Sequence, residues 1–180
     1  MDTAPAVDDL PHRLRVGDRS SVVSRATPAD VAAVVALLRD DELGAARESA
    51  TTDDVSAYRE AFAQIDADPH QLLVVVRRQH VDEVVATLQL TFLRTLSRRG
   101  GLRMQVEAVR VAGPERGAGL GRALFEWVAE VGRSRGAVLA QLTTDRSRVD
   151  AHRFYERLGW VDSHRGMKLG LTRAPTDPVS

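Results

Sequence analysis

Val111-Ala112-Gly113-Pro114-Glu115-Arg116-Gly117-Ala118-Gly119-Leu120-Gly121-Arg122 decides how this chain is read. A β-branched, alternating stretch runs into it and an amphipathic stretch leaves it, which makes it a strand-to-helix turn. Glycines at 117, 119 and 121 let a ligand approach the backbone closely and allow turn angles forbidden to side chains. The N–H groups of a first helical turn, at the positive end of the helix dipole, suit a phosphate or pyrophosphate, and Arg116 and Arg122 stand where charge-assisted hydrogen bonds would add to that hold. A tight turn with no ligand reads the same way. A P-loop needs Lys-Ser or Lys-Thr after its last glycine, and none follows. A dinucleotide fingerprint counted from Gly117 has Arg122 where the third glycine belongs, although Asp145 after the next strand imitates the ribose-binding acid.

Upstream, Leu102 to Ala112 alternates Leu102, Met104, Val106 and Ala108 against Arg103, Gln105, Glu107 and Val109, the period of a strand with two different faces. Before it, QLLVVVRR and VVATLQLTFL read as two strands joined by a polar turn, a hairpin. SVVSRA at 21–26 reads as a further short strand, giving four by residue 112. Thr27-Pro28-Ala29-Asp30 then signals a helix start, with the helix expected to about Arg39. A second helix is expected over 53–65, from Val55, Tyr58, Phe62 and Ile65 at spacings of three and four. Downstream, Leu124, Trp127, Val128 and Val131 share one face of a helix that ends near Gly136, and AVLAQLTT gives a fifth strand, so a strand, a crossover helix and a strand follow one another. A last helix over about 148–158 sets Ala151, Phe154, Tyr155 and Leu158 on one side. Gly159 ends it before WVDSHRGMKLGL, expected as a closing strand.

The chain has 180 residues, enough for one well-buried core. Twenty-five basic residues balance 25 acidic ones, so no global field draws it to nucleic acid or anionic lipid. It has no cysteine, which excludes disulfides, thiol catalysis and thiolate zinc sites. No His, Asp and Glu spacing suggests a metal site. The first residues lack the continuous apolar run of a secretory signal or membrane anchor, and the default expectation is cytoplasmic. Residues 1–19 and 172–180 are polar, proline-containing and aperiodic, expected as tails around one domain at 20–171. The fold class is α+β or α/β, a mixed sheet covered by helices.

Two segments together resemble a known family. Arg116-Gly117-Ala118-Gly119-Leu120-Gly121-Arg122 is similar to the [RQ]-x-x-G-x-[GA] signature of the GCN5-related N-acetyltransferases (GNAT family). Ala151-His152-Arg153-Phe154-Tyr155-Glu156-Arg157-Leu158-Gly159-Trp160 is similar to its second signature, A-x-x-[FL]-Y-E-x-x-G-[FW], and the likeness extends over roughly residues 20 to 170. It implies a GNAT-like fold with a mixed, mostly antiparallel sheet of six to seven strands and helices on both faces. It implies acetyl-CoA as cosubstrate, its pyrophosphate on the amides of residues 116–122 and its pantetheine arm along Val109, Arg110 and Val111. Transfer to a primary amine by direct attack is the implied reaction, with a non-catalytic acyl-CoA sensor as the alternative. By the same analogy the amide of Val109 polarises the carbonyl, and Tyr155 protonates the leaving thiolate. On structural grounds alone Tyr155, beside Phe154 on an apolar face, reads as a core tyrosine.

Glu107, on the strand that enters the turn, is the candidate to take the amine proton directly or through water. Its other reading is a strand carboxylate in a salt bridge. The sequence departs from the family at Arg148, where an asparagine that contacts pantetheine is frequent; Arg148 reads either as a phosphate contact or as an exposed helix residue. His152 reads as structural and stays outside the catalytic set. The acceptor, a small molecule or a peptide amine, is expected against DDELGAARES and LRTLSRRGG, the second of them basic, which suits an amine carrying an acidic portion. A homodimer through exposed strand edges is compatible with this reading, although the sequence does not show one.

Overall fold

The computed structural model describes residues 10–40 and 52–171, the side chains of 52–54 excepted. The chain divides into two compact units, Met1–Leu142 and Thr143–Ser180. In the first unit six strands form one sheet in sequence order: β1 (His12–Val16), β2 (Arg19–Arg25), β3 (Gln71–Arg78), β4 (Val84–Arg94), β5 (Leu102–Val111) and β6 (Ala137–Leu142). Neighbours from β1 to β5 pair antiparallel, while β6 lies parallel to β5. The parallel pair requires a crossover, and the helix after the glycine-rich turn provides it.

α1 (Val31–Arg39) and α2 (Thr52–Ala67) cover one face of the sheet. Val31, Val34 and Phe62 join Ala26 and Val75 in a buried cluster there. α3 (Leu120–Ser134) covers the opposite face, where Leu124, Trp127, Val128 and Val131 are buried, as the spacing of its apolar residues requires. A Cβ on Gly132 would lie 2.9 Å from the terminal methyl of Met104, so β5 and α3 meet there without room for a side chain. The register sorts the faces: Leu88, Leu90 and Phe92 lie with Met104 and Val106 on the α3 side, and Gln89 and Thr91 lie with Gln105 and Glu107 on the α1–α2 side.

Two expectations need correction. The stretch 1–19, read as a tail, contains β1. β1 alternates, with Arg13 and Arg15 exposed on either side of buried Leu14, but five residues with a single fully buried side chain give a weak signal; Gly17-Asp18 makes the two-residue hairpin turn, with Gly17 at φ +56°. Five strands therefore precede residue 112. The closing strand expected from Trp160 to Leu171 is not formed, and the described sheet has six strands. Met167, Leu169 and Leu171 keep the alternation of a strand, but Gly166 and Gly170 disfavour strand backbone and the apolar side chains stand exposed. Residues 41–51 and 172–180, which include most of DDELGAARES and the expected C-terminal tail, lie outside the described residues.

In the second unit α4 (Val149–Arg157) follows a turn built on Asp145, whose carboxylate accepts from the Ser147 N–H (2.9 Å) and hydroxyl (2.7 Å). Gly159, at φ +83°, ends it as expected.

Candidate active site

β5 carries the site because it changes character halfway along. Leu102 to Val106 pair with β6, whereas residues 107–111 extend past the end of β6 and pair only with β4 among the described residues. The change coincides with a bulge. Gln89 pairs with Glu107 and Thr87 with Arg110, so Leu88 opposes both Ala108 and Val109, and Ala108 takes φ +53°. A non-glycine residue in that region costs on the order of 1–3 kcal/mol and persists where the surroundings impose it. The bulge also shifts the alternation by one residue: Arg103, Gln105 and Glu107 face α1–α2, and beyond it Arg110 takes that side while Val111 joins Ala86 on the other. The single alternation expected from Leu102 to Val109 therefore stops at Glu107.

Past the bulge the backbone offers an open edge. The Ala112 N–H donates to Val85 O on β4 (2.8 Å), so by strand alternation the amides and carbonyls of Val109 and Val111 point away from β4. Arginines meet both carbonyls: Arg110 Nη1 donates to Val109 O (2.8 Å) and Arg116 Nε to Val111 O (2.8 Å).

The turn after β5 is held from behind and open in front. A 3-10 turn, Gly113–Glu115, leads out of the strand. Glu115 is buried and accepts from Arg78 Nη2 (2.5 Å) and Nε (3.2 Å), with Arg19 Nη1 at 3.7 Å. Nothing in the sequence pointed to this anchor, because its partners lie 37 and 96 residues away. Arg116 adds a second tie, to the Asp40 carboxylate (2.8 Å) at the end of α1. Gly117 follows at φ +76° with open space where a Cβ would be. Gly119 at φ +94° is the N-cap of α3, no side chain caps the helix there, and a Cβ would come within 2.9 Å of Val16 Cγ1. The first-turn N–H groups of α3 have no partner within the helix. Arg122 lies along the helix surface, its Nε 2.9 Å from Glu126.

Glu107 is exposed and makes no hydrogen bond or ion pair among the described residues, so the salt-bridge reading finds no support. On its face, under α1 and α2, lies a cavity of about 100 Å³ lined by Val34, Leu38, Tyr58, Phe62, Gln89 and Ala108. Gln89 is fixed by its Nε2 donating to Gln71 Oε1 (2.7 Å).

In the second unit Tyr155 is half-buried between Phe154 (ring centroids 5.3 Å apart, edge-on) and Trp160 (6.2 Å). The His152 ring closes on the Asp145 carbonyl (Nε2 to O 2.7 Å), a structural role. Arg148 stands at the N-cap of α4. Among the described residues no group of His, Asp and Glu could hold a metal ion.

An open strand edge, a glycine-capped helix start and a parallel crossover unit make up a GNAT-like fold of the kind the two sequence segments resemble. The chain matches the Acetyltransferase (GNAT) family over residues 33–160 and belongs to that family. It is 34% identical over 111 residues to the aminoalkylphosphonate N-acetyltransferase of Salmonella typhimurium, covering 62% of this chain and 70% of that protein. A solved structure from Bacillus halodurans, named a transcriptional regulator, superposes with a TM-score of 0.78 at 38% identity, covering 84% of this chain and 99% of that one. A Clostridium acetobutylicum protein described as a predicted acetyltransferase with acetyl-CoA superposes with a TM-score of 0.65 at 14% identity, over 84% of this chain and 96% of that one, and shares the fold.

Proposed function

We propose that this protein transfers an acetyl group from acetyl-CoA to the primary amine of a small molecule. The observation that carries the reading is the join of β5 to α3: an open strand edge at Val109–Val111 leading into an uncapped, glycine-lined helix start. Those features fit the two polar parts of coenzyme A, amide groups along the arm and a pyrophosphate at its end. The amides of residues 117–122 hold the pyrophosphate in this proposal, and Val109, Arg110 and Val111 present the edge to the arm. Acetyl-CoA supplies the activated acyl group and a thiolate leaving group.

The chain's own residues then have three tasks. Glu107 Oε takes a proton from the incoming ammonium, directly or through one water, which suits a carboxylate that no protein cation occupies. The Val109 N–H, on the open edge, supports the carbonyl oxygen as negative charge develops there. The Tyr155 hydroxyl returns a proton to the departing sulfur. Residues 12–171, the sequence-expected 20–171 extended to include β1, act as one acetyltransferase domain in this proposal, in the cytoplasm and with a homodimer through exposed strand edges as the assembly; among the described residues no helix is long and apolar enough to cross a membrane.

A name borne by a 38%-identical structure supports a second reading, an acyl-CoA sensor with the same fold. Calorimetric titration with acetyl-CoA, coenzyme A and NAD, followed by thiol-release assays over a panel of amines, separates the two. The enzyme reading expects binding of the two coenzyme A species and not NAD, amine-dependent thiol release, and a fall in kcat of about 10²-fold or more in Glu107→Gln. Binding without turnover for every amine favours the sensor.

A further inference from the structure

The face of β5 that bears Glu107 also bears Arg103, two steps down the same row, with Gln105 between them. Arg103 is half-buried, its Nε is shielded from solvent, and it makes no hydrogen bond or ion pair among the described residues. Other arginines of the sheet are engaged: half-buried Arg77 by Asp30 and Asp82, and exposed Arg78 by Glu115 and Glu83. A guanidinium N–H that is shielded from water and unpaired is costly to keep, and a bound anion relieves that cost. Its strand neighbours are uncharged, Leu93 on β4 and Leu139 on β6, so no carboxylate competes for it across the sheet. Beyond the strand, Arg94, Arg98 and Arg99 add positive charge at the same end, and no carboxylate pairs with them among the described residues.

β5 therefore has an order along its length: unpaired cation, neutral amide, unpaired carboxylate, bulge, open edge, glycine turn. We infer that Arg103 is the anion-binding, specificity-determining residue of the acceptor site, and that the acceptor is a short zwitterion whose ammonium meets Glu107 while its carboxylate or phosphoryl group meets Arg103. The inference rests on the acetyltransferase reading and specifies its substrate class. Four strand residues span roughly 13 Å. With one hydrogen bond of about 2.9 Å at each end, roughly 7 Å remains between amine nitrogen and anion oxygen when both side chains stand off the sheet, the length of a chain of three or four atoms. Gln105 lies beside the middle of such a chain, and the guanidinium fork matches either anion.

The test uses three acceptors of matched length, γ-aminobutyrate, phosphoethanolamine and n-butylamine, with kcat and KM read by thiol release on the full chain and on Arg103→Met and Arg103→Lys. At least one of the two anionic amines is expected to exceed butylamine in kcat/KM by about 100-fold, the size of one charge-assisted anchor; which one does so distinguishes carboxylate from phosphate. Arg103→Met is expected to erase that preference through KM, with kcat, butylamine turnover and coenzyme A affinity unchanged, and Arg103→Lys to restore part of it. Equal loss for all three acceptors would give Arg103 a structural role and overturn the inference. So would a wild-type enzyme that acetylates butylamine as well as the anionic amines, and in that case the acetyltransferase reading stands. Coenzyme A binding with no amine acetylated overturns both.

Discussion

α1 and α3 begin in opposite ways, and the difference separates a helix end closed by a buried ion pair from one lined by glycines and left open. At the start of α1 the chain supplies its own anion: the Thr27 N–H and hydroxyl donate to Asp30 Oδ2 at 2.8 and 2.9 Å, and Arg77 closes on the other carboxylate oxygen. At the start of α3 there is no side-chain cap, and two glycines with positive φ turn the backbone toward the opening. The rigid parts of that second turn, Glu115 and Arg116, bond backward to β3 and α1. Under the proposed function one helix entrance contributes to stability and the other to binding, and substitutions should separate the two.

The largest effect on stability is expected from Asp30→Ala. It removes the acid from a pair whose carboxylate side chain is 5% exposed and takes away the receiver of the Thr27 N–H. A loss of about 3 kcal/mol follows, below the full cost for a buried pair because Arg77 retains Asp82; Tm by calorimetry should drop by roughly 10 °C, with coenzyme A affinity intact. Gly119→Ala comes next. A methyl group forced to φ +94° and 2.9 Å from Val16 Cγ1 costs about 1–3 kcal/mol, and here the titration should show coenzyme A affinity falling as well. Equal affinity in Gly119→Ala and wild type would dissolve the contrast between the two entrances.

Arg116→Ala sharpens it further. Its pair with Asp40 is about half exposed on both sides, so stability should change by no more than about 0.5 kcal/mol, while release of the Val111 carbonyl should weaken coenzyme A by about tenfold. The smallest effect is expected at Asp68. Its carboxyl is held below the ordinary range by the Gln71 side chain and then by the His70 N–H. A depressed folded value means the contribution is present at neutral pH and is lost as pH falls through that value, so Asp68→Asn should flatten the acid limb of the stability curve slightly.

The crossover unit was legible from sequence because each of its parts has a local signal: period two in Leu102–Val106, glycines at 117 and 119, period 3.6 from Leu120. The first strand was not, since it is five residues long, only Leu14 in it is buried, and that burial depends on a partner strand. The bulge had no signal either; an alanine occupies a backbone angle where glycine would have announced it. In the candidate site, Glu107 was singled out by its place before the turn. Arg103 and Gln105 were visible as the polar side of the same strand, but that Arg103 lacks a partner is a fact about distant residues. The ties of Glu115 and Arg116 are of the same kind, long-range contacts with no trace in local pattern.

The bulge at Ala108 has a consequence for how this protein can vary. Most strands tolerate the gain or loss of a residue near their ends, because the surplus is absorbed in a loop. Removing one residue between Glu107 and Arg110 would instead erase the bulge: Glu107, Arg110 and Val111 would keep their faces and partners on β4, but the left-handed backbone at Ala108 and the extra twist it gives the open edge would be lost. A change of one codon would then redirect the edge without moving a neighbouring side chain to the other face, so this short segment should hold its length across relatives even where its side chains drift.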